Sequence, residues 1–190
     1  MSGRKNRNRH VVLPPLTVQS IASTQSDEEL LDKLLGELSR TAPGPGDDRK
    51  LALGLPKLPR GLRAMAATHC LDVSMTLDDL GWHFGNHRDL KLYEETRNGL
   101  RELGLSEMAE LFEEAYSIMA PHWSEMIKLS ADEWISWYSD SGVKKQIEPL
   151  DRSFSSLMDK LPHRSILDQW VAYTRRFPER VVAASEDKDC

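Results

Sequence analysis

Three features of the sequence predict an all-α fold. Apolar residues recur three and four positions apart almost continuously from Leu62 onward. No two-residue alternation of useful length marks a strand. Gly and Pro punctuate the periodic stretches where helices of ordinary length would end. The predicted architecture is a compact multi-helix domain over residues 62–182. Before it come a mobile basic arm (1–25), a tethered amphipathic helix (26–40) and a Pro/Gly linker (41–61). An acidic tail (183–190) closes the chain.

In chain order, residues 1–25 lack periodicity and contain Pro14 and Pro15, which suits an arm. Ser26 and Glu29 form a capping-box pattern, and Leu30, Leu31, Leu34, Leu35 and Leu38 come next as a narrow apolar stripe. TAPGPGDDRK (41–50) and LGLPKLPRG (53–61) interrupt helix formation, because proline removes a donor and glycine costs chain entropy. Leu62, Met65, Ala66, Cys70 and Val73 then share one helical face. TLDDLGWHFGNHRD (76–89) reads as a turn between helices, anchored by Trp82 and Phe84 and bent at Gly81 and Gly85, with Asn86 or Asp89 capping the next helix. Leu90, Tyr93, Arg97, Leu100 and Leu103 form the next stripe, closed by Gly104 as a C-cap. Ser106 is placed to cap a helix whose inner face is Met108, Leu111, Phe112, Ala115 and Met119, ending at Pro121. Ser130 and Glu133 form a second capping box ahead of Trp134 and Trp137. After Gly142 and Pro149 come a short helix near 151–160 and a last one from Ser165, with Ile166, Trp170, Val171, Thr174 and Phe177 inward.

Charge is unevenly placed. Arg4, Lys5, Arg7 and Arg9 put +4 into the first ten residues, so a total of −5 leaves −9 on the other 180. Two cysteines, Cys70 and Cys190, make no disulfide framework. No stretch approaches the ~18 apolar residues of a membrane span, and the segment after the basic start is too polar and Pro-broken for a signal peptide. These features predict a cytoplasmic protein without a cofactor.

Few residues suggest catalysis. His83 and His87 have the i, i+4 spacing that places two imidazoles on one helix face, and His69 could add a third ligand. A small metal-dependent enzyme centred on His69, His83 and His87 is therefore the alternative reading. It lacks the general-base Glu of HExxH, and Gly85 and Asn86 disfavour a helix interior. Cys70 beside His69 is not a nucleophile–base pair, since adjacent helical residues point to different faces. The five tryptophans sit among apolar positions, which suits core packing better than base stacking. The basic arm alone supplies too few charges for tight nucleic-acid binding, so no direct nucleic-acid partner is expected.

The most distinctive feature is electrostatic. Between Glu102 and Ile127 there is no Lys or Arg, while Glu102, Glu107, Glu110, Glu113, Glu114 and Glu125 contribute −6. Glu107, Glu110 and Glu114 fall three and four residues apart, on one helix face. They spread three charges over roughly 10 Å of axis, comparable with the one charge per roughly 3.4 Å of a DNA strand. Such a stripe, with Glu113 and Glu102 beside it, would attract a basic protein surface.

Three stretches carry a family resemblance: the corner Gly81-Trp-His-Phe-Gly-Asn86, the pair TRNGLRELGLSEMAELFEEAYSIM, and the closing ILDQWVAYTRRFPERVV. Over residues 62–182 the chain resembles the DNA-mimic protein domain family of bacteria. The resemblance implies an all-helical fold and action without catalysis. It also implies negative charge presented like duplex phosphates to a DNA-binding regulator, often by a homodimer. The chain departs from that pattern in its Leu77-Asp-Asp-Leu-Gly81-Trp82 corner and in Arg175, Arg176 and Arg180 near its end.

Overall fold

The structure is a computed structural model that describes residues 14–42 and 46–183. The cations of the basic arm and nearly all of the acidic tail lie outside the described residues. Among those described, the regular structure is helical throughout: α1 (Val18–Ser23), α2 (Asp27–Thr41), α3 (Asp48–Gly54), α4 (Arg60–Leu77), α5 (Leu80–Asn86), α6 (Leu90–Glu102), α7 (Ser106–Met119), α8 (Trp123–Met126), α9 (Ala131–Asp140), α10 (Val143–Met158) and α11 (Leu167–Arg176). The protein is all-α, with no strand among the described residues.

The core is built on α4 and α6. Gly99 of α6 lets the two backbones approach: an added Cβ there would lie 2.9 Å from the Ala64 carbonyl oxygen. Thr96 Oγ1 donates across the seam to the Ala67 carbonyl at 2.9 Å. Arg63 forks onto the buried Glu95 carboxylate at 2.6 and 2.7 Å. On one side α11 lays Trp170 (0% exposed) against α4, its Nε1 donating to Thr68 Oγ1 at 3.2 Å. On the other, α7 packs on α6 and α10. Its inner residues Met108, Phe112, Ala115 and Met119 are buried as the periodicity predicts.

Several segments differ from the sequence expectation. The stretch expected to be a linker (41–61) contains α3, capped by Asp47, whose side chain accepts from the Lys50 amide at 3.0 Å. Leu51, Ala52 and Leu55 of this stretch are buried, and α3 packs on α6. Part of the expected arm (1–25) is also folded. Thr17 caps α1 in a reciprocal box with Ser20, Leu16 and Ile21 are buried, and the Leu16 amide donates to Glu37 Oε2 at 3.2 Å. Helix α2 is docked rather than merely tethered, because Leu30 and Leu34 (both 0% exposed) pack toward α11. Arg175 locks this edge, donating to the carbonyls of Ile21, Thr24 and Gln25 and pairing with Asp27 at 2.8 Å. The short helix expected at 151–160 starts instead at Val143 and carries Pro149 inside it. Val143, Ile147, Phe154 and Met158 form one buried stripe, and this burial outweighs the proline's lost hydrogen bond. Val73 and Leu90, expected inward, are exposed, Leu111 and Phe177 are half-buried, and Ser106 is the first residue of α7 rather than its cap.

The corner 76–89 is partly helical. Asp79 caps α5 by accepting from the Trp82 amide at 2.7 Å, and Asp89 caps α6. Gly81 and Gly85 lie within α5, so they do not bend the chain as expected. They admit aromatic rings instead: an added Cβ would meet Tyr138 Oη at 2.0 Å and Trp134 Nε1 at 2.1 Å. Phe84 is buried as expected, whereas Trp82 is half-buried. Arg88 completes the corner, donating from Nε to the Gly85 carbonyl and from Nη1 to those of Met126 and Leu129 at 2.5–2.7 Å. Its guanidinium also sits over the Trp134 ring.

Candidate functional site

The acidic run from Glu102 to Glu125 divides into two groups. Glu102, at the end of α6, is turned inward: its carboxylate pairs with Arg60 and Arg180 and accepts from the Tyr173 hydroxyl. Burial, then that carboxylate, push the Tyr173 phenol up to about 12. Glu113 faces α6, where Arg97 and Arg101 each reach one of its oxygens at 2.7 Å. Glu102 and Glu113 therefore brace the fold, and their charges are met within the molecule. Arg60 lies on α4, Arg97 and Arg101 on α6 and Arg180 in the turn after α11, so only packing shows which carboxylates they meet.

Glu107, Glu110 and Glu114 are different. All three are exposed on α7, and none takes part in an ion pair formed among the described residues. They form one wall of a groove between α7 and α10, about 590 Å³ in volume, with Leu111, Pro149 and Leu157 contributing apolar surface. Arg152, Ser153 and Ser156 of α10 line its far side. Glu125 is exposed on α8. The register that buries Met108, Phe112 and Ala115 necessarily turns Glu107, Glu110 and Glu114 outward, since the two sets occupy different sectors of one helix.

The histidines are dispersed by packing. His69 is exposed, with its ring 5.8 Å from that of Trp170. His83 is buried, with Nδ1 3.1 Å from Ser74 Oγ. His87 Nδ1 lies 3.1 Å from Asp48 Oδ1 of α3. The His83 and His87 rings are 4.9 Å apart, as their spacing predicts. However, no group of three or more His, Cys, Asp or Glu among the described residues is arranged to hold a metal ion. The metal-centred alternative needs His69 to join the other two, but His69 lies on the α11 side of α4 while His83 packs on Phe112 of α7. Burial, then the neighbouring His87, drive the His83 pKa well below its ordinary value. Burial, then Asp48, push the Cys70 thiol up to about 11, which disfavours the reactive thiolate.

A sequence profile for the family described as DMP19-like protein matches residues 56–174, more than half of the chain. The chain belongs to the DMP19-like family. This is the DNA-mimic family that the corner, the helix pair and the closing stretch resemble. The DMP19-like region runs from the turn before α4 to the last residues of α11, so α7, α10 and the groove between them lie inside it. Helices α1, α2 and α3 precede it, and the closing stretch is covered as far as Thr174. No curated protein matches the chain, and no solved structure does. Among the described residues, no helix of this DMP19-like chain is long and apolar enough to cross a membrane.

Proposed function

We propose that the protein is a non-enzymatic interaction module that presents the outer face of α7 to a basic protein surface, that of a DNA-binding regulator. The carrying observation is the division of the acidic run. Glu102 and Glu113 are met by four arginines, while Glu107, Glu110 and Glu114 stand exposed along one groove. Three exposed carboxylates over roughly 10 Å of helix offer a basic groove-reader a spacing comparable with that of strand phosphates. Membership of the DMP19-like family supports the reading, through the DNA-mimic activity that the resemblance implies.

Affinity capture from native cell extract tests it, using the native chain beside a variant carrying Glu107→Lys, Glu110→Lys and Glu114→Lys. The expected outcome is a basic, DNA-binding protein retained by the native chain and lost from the variant. Identical retention by both proteins would remove the α7 face as the recognition surface.

A further inference from the structure

We propose that the basic arm, through Arg4, Lys5, Arg7 and Arg9, occupies the groove between α7 and α10 in the isolated protein, so that a partner must displace it. This regulation rests on the functional reading of the α7 face. Charge complementarity is the first argument. The groove carries Glu107, Glu110 and Glu114 on one wall, with Arg152 the one cation among the described residues that line it, and the arm concentrates +4 in six residues without an acidic side chain. The groove's apolar surface, from Leu111, Pro149 and Leu157, suits arginine and lysine, whose methylene stems lie along apolar surface while their heads stay near water and carboxylates.

Reach is the second argument. The described chain begins just before Leu16, which borders a surface cleft together with Arg60 and Arg180. Both of these arginines extend to Glu102 at the end of α6. Glu107 comes five residues later, at most about 19 Å along the chain. Seven residues separate Leu16 from Arg9 and twelve separate it from Arg4, so an extended arm spans about 23–25 Å and 40–43 Å respectively. The distal cations, Arg4 and Lys5, therefore have the greater reach toward the stripe, which is roughly 10 Å long. Because the arm is tethered, its local concentration is on the order of millimolar, and weak exposed pairs suffice to populate the contact. The competing occupant of the arm is the acidic tail, since Ala183, from which the tail departs, lines the same cleft as Leu16.

The test compares backbone amide NMR spectra of the full chain with those of a variant carrying Arg4→Gln, Lys5→Gln, Arg7→Gln and Arg9→Gln. The expected differences fall on amides of α7 and α10 and vanish in about 1 M salt, where the Debye length is ~3 Å. Differences confined to residues 179–190, which would mean that the arm pairs with the tail, would overturn the proposal, and so would identical spectra. A hexa-arginine peptide serves as a probe of the groove. It should bind the neutralised variant several-fold more tightly than the native chain, and equal affinity would overturn displacement as a control. The spectra need no partner, so they succeed or fail independently of the capture experiment that tests the α7 face.

Discussion

At Gly85 an added methyl would lie 2.1 Å from Nε1 of Trp134, a rigid ring only 2% exposed. Gly85→Ala should therefore destabilise the protein by about 1–3 kcal/mol in urea denaturation, through overpacking rather than through lost flexibility. Trp134 and Trp170 are both core side chains, so Trp134→Ala and Trp170→Ala should each cost about 3–5 kcal/mol by the same measurement. His83 makes stability depend on pH. Burial and His87 hold its folded pKa well below 6.5, so the unfolded chain takes up a proton that the native chain refuses. The resulting stability is fully present above about pH 6.5 and is lost as pH falls from there through the depressed folded pKa, by at most ~1.4 kcal/mol per pH unit. Urea midpoints between about pH 7 and pH 5 should fall less steeply in His83→Gln, which cannot titrate. An isolated His at i, i+4 from another gives no hint of this burial. Ser74 and Phe112, which line its site, come from α4 and α7.

Among the elements, capping signals were legible where the cap is local. Ser130 and Glu133 form the full reciprocal box. Ser26 accepts from the Glu29 amide, although Glu29 turns its own carboxylate to Lys33. Gly104 sits at φ +81 after α6, as a C-cap requires. The elements misread are those in which burial outweighs local propensity. In α3 seven residues suffice because Leu51 and Ala52 are covered by the core, and in α10 the buried stripe carries the helix through Pro149. Amides of α3 and α2 should therefore exchange slowly with deuterium, at rates approaching those of α4. Fast exchange across residues 48–54 would return that stretch to the status of a linker. Leu34→Ala, at a site with no exposure, should cost about 2–5 kcal/mol.

Across the whole molecule, the acidic face is separable from the core. Reversing Glu107, Glu110 and Glu114 to Lys should leave the denaturation midpoint little changed, because exposed pairs contribute about 0–1 kcal/mol. Capture of a basic partner by the native chain should weaken as ionic strength rises beyond physiological, where the Debye length is already ~8 Å. Salt-independent capture would argue against an electrostatic interface. The sequence by itself determined the all-α class, the inner faces of α7 and α11 apart from Leu111 and Phe177, the caps at Ser26, Gly104 and Ser130, and the outward turn of Glu107, Glu110 and Glu114. Each of these arises from periodicity or hydrogen bonding within a few residues. Only the tertiary structure decided that Glu102 and Glu113 are paired by arginines while Glu107, Glu110 and Glu114 have no ion-pair partner among the described residues. Arg60, Arg97, Arg101 and Arg180 come from two helices and a closing turn, and charge neutralisation depends on distance in space rather than along the chain.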